Sequence, residues 1–172
     1  MDSDRLNVLI CGDAGVGKST LKTKMAGTTK GVTANNGKKV TFELYEGQGN
    51  QKYWNHSGVV FVFDVTNENS FAKLSELKEM PDGKNVHWLK LGSCGKILVG
   101  NKRDGDRKVS EEKAKEWAQE MKMAYFEVNA QSGDNVDEAF TALANDYFEE
   151  KRKDDEYSAM NEMAQDESEE EE

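Results

Sequence analysis

Residues 8–20 read Val8-Leu9-Ile10-Cys11-Gly12-Asp13-Ala14-Gly15-Val16-Gly17-Lys18-Ser19-Thr20, and the helix-competent segment Leu21 to Ala26 follows. Gly12, four intervening residues and then Gly17-Lys18-Ser19 make the spacing of a phosphate-binding P-loop. Each position has its own physical reason. Glycines let the backbone turn tightly with its N–H groups facing inward, which makes a concavity for anionic oxygens. A helix starting near Gly17 adds the positive end of its dipole. The Lys18 ammonium can reach the β- and γ-phosphates, and the Ser19 hydroxyl is placed to ligate Mg²⁺. A plain glycine-rich turn is the competing reading, and the strand before and helix after weigh against it.

Working outward, Asn7 to Cys11 reads as a short buried strand. Thr28 to Lys39 is polar and broken by Gly31, Asn35, Asn36 and Gly37, so it reads as loop, with Asn36-Gly37 a hairpin-type turn signal. Val40 to Tyr45 alternates as a strand, and Val59 to Val65 is an apolar one. Asn67 or Asn69 can cap a helix carrying Phe71, Leu74 and Leu77 at helical spacing, which Pro81 ends. Lys96 to Gly100 and Ala124 to Val128 are further strands. Ser110 opens a helix with Ala114, Trp117, Ala118 and Met121 on one face. Asn135 is placed to cap a last helix carrying Val136, Ala139, Phe140, Leu143 and Tyr147. Alternating strands and helices predict an α/β fold, a mostly parallel sheet covered by helices on both faces, with ligands bound beyond the strand C-termini.

Composition bounds the function. The chain has 172 residues, of which 36% are hydrophobic, and a net charge of −10. Asp154 to Glu172 holds ten acidic and no basic residues, so the first 153 residues balance. A nucleic-acid or anionic-membrane surface is therefore not expected on the globular part. Residues 154–172 are expected to form an acidic, disordered tail, either solubilising or docked on a basic partner. Cys11 and Cys94 lack partners at metal-ligand spacing and read as reduced thiols of a cytoplasmic compartment. No apolar run is long enough to span a bilayer, and with no C-terminal cysteine a lipid anchor is not expected.

Several motifs together resemble the Rab branch of the Ras-like small GTPases, from Asn7 to about Phe148. Asn101-Lys102-Arg103-Asp104, after the strand Ile97-Leu98-Val99-Gly100, is similar to the family's guanine-recognition motif. A carboxylate at Asp104 can accept from both the ring N–H and the exocyclic amine of guanine, a donor pair adenine lacks on that edge. The aliphatic stem of Lys102 can cover the base, and Asn101 can brace the loops. Asn129-Ala130-Gln131 stands where the family has Ser-Ala-Lys, and the Ala130 N–H could donate to guanine O6. Phe63 to Phe71 and Gly133 to Phe140 also look Rab-like and are read as carrying fold rather than chemistry.

The resemblance implies a G domain over residues 1–153, built on the P-loop NTPase fold. It also implies GTP or GDP with Mg²⁺ as ligands, and turnover of GTP to GDP and phosphate. The nucleotide-binding set is then Gly12, Asp13, Ala14, Gly15, Val16, Gly17, Lys18, Ser19, Thr20, Gly49, Asn101, Lys102, Asp104, Asn129, Ala130 and Gln131. Metal candidates are Ser19, Thr29 and Glu46. Thr29, with Gly31-Val32 after it, resembles the family's switch threonine, while Thr28 and Thr33 lie nearby. The family's Asp-x-x-Gly is here Glu46-Gly47-Gln48-Gly49. Its water-orienting glutamine is replaced by Asn50, unless a slipped alignment makes Gln48 the equivalent. Positioning is most of what that residue supplies, so slow or absent hydrolysis is expected.

Both switch regions look shortened, since Lys18 to Glu46 is only 28 positions and Gln51 to Gly58 leaves little room for a second-switch helix before the Val59 strand. Tyr53-Trp54-Asn55 resembles, over those few residues, the Rab-like subunit of intraflagellar transport, which suggests ciliary or cytoskeletal protein partners. Three readings follow. The chain is a weakly hydrolysing switch or assembly subunit, an active GTPase needing a partner arginine, or a scaffold stabilised by bound nucleotide.

Overall fold

The computed structural model describes residues 3–26, 31–47, 56–76, 94–102 and 104–170. In chain order the elements are β1 (Ser3–Gly12), α1 (Lys18–Ala26), β2 (Val32–Thr33), β3 (Lys39–Gly47), β4 (Gly58–Asp64), α2 (Glu68–Glu76), β5 (Gly95–Asn101), α3 (Glu111–Glu120), β6 (Ala124–Glu127) and α4 (Val136–Glu170). The described strands form one sheet in the order β2-β3-β1-β4-β5-β6. β1 pairs in parallel with β3 and β4, and β4-β5 and β5-β6 are also parallel. Among the described strands only β2 runs antiparallel, against β3.

Alternation along the central strands sorts the core into two layers. Val8, Ile10, Val60, Val62, Ile97 and Val99 face one layer with Leu21 of α1 and Phe140 and Leu143 of α4. Leu9, Cys11, Val59, Phe61, Phe63 and Leu98 face the other, with Phe71 and Leu74 of α2 and Trp117 of α3. β4 is buried along its whole length. That is why its sequence reads as a continuous apolar run rather than an alternating one. The α/β reading, with a mostly parallel sheet between helices, holds.

Four local expectations need amendment. Val32–Thr33, expected as loop, forms an antiparallel edge, because Ala34 N–H donates to Lys38 O (2.9 Å) and Gly37 N–H to Ala34 O (2.9 Å). Gly37 has φ +82°, the conformation such a turn requires. Glu46 and Gly47, expected in loop, still pair with Ile10 and Cys11 at the end of β3. Asn135 does not cap α4 as an acceptor. It sits at φ +62° and its amide donates to Glu127 O (2.9 Å). Finally, the acidic segment from Asp154 is helical through Glu170, as part of α4, where disorder was expected. Arg152 pairs with Glu149 and Glu156 and Lys153 with Glu150 along that helix. Cap placement is otherwise as read. Asn67 Oδ1 accepts from Asn69 N–H (3.0 Å), and Ser110 Oγ from Lys113 N–H (3.1 Å). Pro81, Leu77 and Tyr53-Trp54-Asn55 lie outside the described residues.

Candidate nucleotide site

The C-terminal ends of β1, β3, β4 and β5 meet on one edge of the sheet, where the loops carrying the sequence motifs converge. The P-loop leaves β1 at Gly12, where a Cβ would stand 2.4 Å from the Val62 carbonyl oxygen. Any side chain there would separate β1 from β4. Gly17 is more constrained. Its φ is +100°, and a Cβ would fall 2.1 Å from Asn101 Nδ2. The P-loop and the Asn101 loop are thus packed backbone to side chain. Leu21 N–H donates to Gly17 O (3.0 Å), so α1 begins directly behind this turn.

Lys18 Nζ donates to Gly12 O (2.6 Å) and Gly47 O (3.3 Å), spanning the ends of β1 and β3. Ser19 Oγ donates to Glu46 Oε1 (2.8 Å). These groups fit the implied ligands chemically. An ammonium at the start of a helix suits phosphate, and a hydroxyl next to a carboxylate supplies the hard oxygen donors Mg²⁺ takes. Asp13 turns away from this centre. Its carboxylate accepts from Lys73 of α2 (3.1 Å), and that hydrogen bond holds its pKa below the usual value.

Asn101 braces the site as expected. Its Nδ2 donates to Val16 O (2.8 Å), its Oδ1 accepts from Ala130 N–H (2.9 Å), and the residue is 3% exposed. Ala130 N–H, read as a donor to guanine O6, donates in this structure to Asn101 Oδ1. Asn129, which departs from the family's serine, donates through Nδ2 to Asp104 Oδ2 (2.8 Å) and so orients that carboxylate. Its own Oδ1 accepts from Gln131 and Ser132 N–H, which closes the loop. Lys102 has φ +64° and donates to Gly15 O (3.0 Å) and to Asp64 Oδ2 (2.8 Å).

A cavity of about 370 Å³ lies between these loops, lined by Gly17, Thr20, Asn101, Lys102, Asp104, Gly105 and Asn129 to Gln131. That is within the size range of small-ligand pockets. The structure therefore brings together Gly17, Thr20, Asn101, Lys102, Asp104, Asn129, Ala130 and Gln131 around one space. Gly12, Lys18, Ser19 and Glu46 gather beside the P-loop. Ala14 and Gly15 are exposed at its tip, and Val16 is buried under it. Thr29, Gln48, Gly49 and Asn50 lie outside the described residues. Sequence reading missed Asp64, taken there as part of the fold. The available signal was an acidic residue ending an otherwise apolar strand, and the register now sets it opposite Asn101.

The comparisons with known proteins agree with this geometry. A Ras family model matches residues 28–149. Ras-related protein Rab-13 of Canis lupus familiaris is 31% identical over 164 residues, covering 81% of this chain and 78% of that protein. RABE1e of Arabidopsis thaliana is 30% identical over 166 residues, covering 82% and 74%. SEC4 of Saccharomyces cerevisiae is 29% identical over 163 residues, covering 81% and 73%. The 164-residue alignment takes in only 81% of this 172-residue chain, so Rab-13 carries residues inside it where this chain has none. A P-loop ending β1, a guanine-type loop braced onto it and a family match over most of the chain converge: this protein belongs to the Ras family, as a Rab-like small GTPase.

Proposed function

We infer that the chain holds GDP or GTP with Mg²⁺, hydrolyses GTP slowly or not at all, and acts as a switch or assembly subunit. The observation that carries the binding half is the double brace of Asn101, which holds the P-loop and the Asn129–Gln131 loop around one cavity. Asp104 on its wall would read guanine, and Lys18 would hold the phosphates, with Mg²⁺ near Ser19 and Glu46. Bound Mg²⁺ would offset phosphate charge. The hydrolytic half rests on sequence, with Glu46 where the family has aspartate and Asn50 where it has the water-orienting glutamine.

The test is single-turnover GTP hydrolysis by purified protein, together with identification of any nucleotide that co-purifies. Guanine nucleotide retained for hours without turnover is the expected result. Turnover at rates ordinary for the family would refute the slow-hydrolysis reading, and equal affinity for ATP would refute the guanine assignment. A second reading, an active GTPase completed by a partner's arginine, is favoured by the Ser19–Glu46 contact at 2.8 Å, which keeps carboxylate and hydroxyl oxygens adjacent despite the longer side chain. Stimulation of turnover by cell extract distinguishes it, since such an arginine contributes about 10³–10⁵ in rate. Partners are proposed to be proteins of a ciliary or cytoskeletal assembly, met in the cytoplasm.

A further inference from the structure

We propose that Asp64 is a positioning residue of the nucleotide site, acting through Lys102 to fix the distance between the guanine loop and the P-loop. The proposal rests on the nucleotide-binding reading above and adds a residue outside its motifs.

Asp64 ends β4 and its side chain is 7% exposed, so it sits where a carboxylate needs partners. Both oxygens have them. Oδ1 accepts from Thr66 N–H (2.8 Å) and Thr66 Oγ1 (2.6 Å), and Oδ2 accepts from Lys102 Nζ (2.8 Å). The backbone around it is held as well, since Asp64 N–H donates to Ser70 Oγ (2.9 Å). The carboxylate is therefore a fixed anchor, tied to the Thr66 turn on one side and presenting one oxygen to the lysine on the other.

Lys102 needs such an anchor. It carries φ +64°, a conformation that residues with a Cβ seldom adopt and that surrounding contacts must enforce. Its ammonium bridges Asp64 Oδ2 and the Gly15 carbonyl. A long flexible side chain is thus pinned across the rim of the cavity by a buried charge at the strand end and by the P-loop tip. Without Asp64 the ammonium would keep only a neutral acceptor, and the stem would regain rotamers that leave the base face open.

Asp64→Asn is a minimal perturbation, because the amide oxygen can still accept from Thr66 while an NH₂ replaces the oxygen facing Lys102. In this variant, dissociation of fluorescent GDP and GTP should speed up by about tenfold, the scale of losing a hydrogen bond to a charged group. Preference for guanine over xanthine nucleotides should not change, since Asp104 is untouched. In a Lys102→Met background, Asp64→Asn should add no further acceleration. An equal acceleration with and without Lys102 would show that Asp64 acts through the fold alone, and would overturn the proposal.

A nucleotide-independent arm uses ¹⁵N-detected NMR of the lysine ammonium groups in the full chain. The Lys102 ammonium should be protected from exchange in the wild type and lose that protection in Asp64→Asn. Unchanged protection would overturn the pairing. Failure of the wild type to take up any guanine nucleotide would instead refute the functional reading, with the ammonium signal still reporting on the pair.

Discussion

Replacing Asn101 with alanine tests the central claim that one buried amide holds two loops together. The side chain makes hydrogen bonds of 2.8 Å to Val16 O and 2.9 Å from Ala130 N–H, and the residue is 3% exposed. A buried partner left unpaired costs about 1–3 kcal/mol, so the two together set a range of about 2–6 kcal/mol. The adjacent cavity of about 370 Å³ lets water reach part of the gap, which places the expectation in the lower half, about 3 kcal/mol. In a domain of this size that corresponds to a melting temperature lower by about 6–12 °C. Thermal unfolding followed by circular dichroism, at fixed nucleotide concentration, is the assay. Asn101→Asp is the informative companion. It keeps the acceptor for Ala130 but sets a carboxylate oxygen against the Val16 carbonyl, so its loss should be at least as large. Both variants melting within about 2 °C of wild type would refute the bracing argument.

Other perturbations separate the remaining parts. Asp104→Asn should abolish guanine preference while leaving phosphate-dependent affinity, and competition between GTP and ATP reads the loss; a site built to pair buried polar groups discriminates by about 10⁴. Lys18→Ala should weaken GDP and GTP alike, with calorimetry as the check. Glu127 is pushed up by burial, but hydrogen bonds from Arg107 and Tyr125 more than offset this and hold it below the ordinary value. Its contribution is therefore present at neutral pH and is lost as pH falls through the folded-state pKa. Glu127→Gln should flatten that acid limb of the melting curve. Asp146 has the opposite sign. Burial raises its pKa despite the hydrogen bond from Lys96 N–H (2.8 Å), so the ionised form costs stability at pH 7. Asp146→Asn keeps an acceptor for Lys96 and should raise the melting temperature, by about 2–4 °C for each kcal/mol regained; a lower value would contradict the assignment.

Much of this was legible because the informative signals are local. Gly12, Gly17, Lys18 and Ser19 announce a phosphate loop by spacing alone, and the apolar run at Val59 announces a strand buried on both faces. Asn101 and Asp104 were legible only through the family resemblance, yet the bracing role expected of Asn101 is what the structure shows. What escaped reading was pairing at long sequence separation. Nothing in the order of residues says that Asp64 will face Lys102. That follows from β4 and β5 lying side by side in a register that sets Asp64 opposite Asn101. Likewise, nothing local says that the Ala130 N–H will donate to Asn101 Oδ1, a partner 29 positions away. The edge strand Val32–Thr33 was missed because it is two residues long and gains its order from β3 rather than from its own pattern.

The acidic segment shows how composition and propagation give different answers. Counting charge from Asp154 onward predicts a chain that repels itself and cannot bury apolar surface. Helix formation, however, is limited by its nucleus, and propagation adds one hydrogen bond for each residue fixed. The nucleus of α4 lies far upstream, where Ala139, Phe140, Leu143 and Ala144 are buried against the sheet. Beyond it, Arg152 links Glu149 to Glu156 across successive turns, at exposed positions where each such pair contributes a few tenths of a kcal/mol. The residues that follow include the good helix formers Ala159, Met160, Glu162, Met163, Ala164 and Gln165. Continuation thus needs only small favourable increments, whereas the same segment cut free would have to nucleate against its own charge. The change at residue 154 is a boundary in charge, and α4 runs through it.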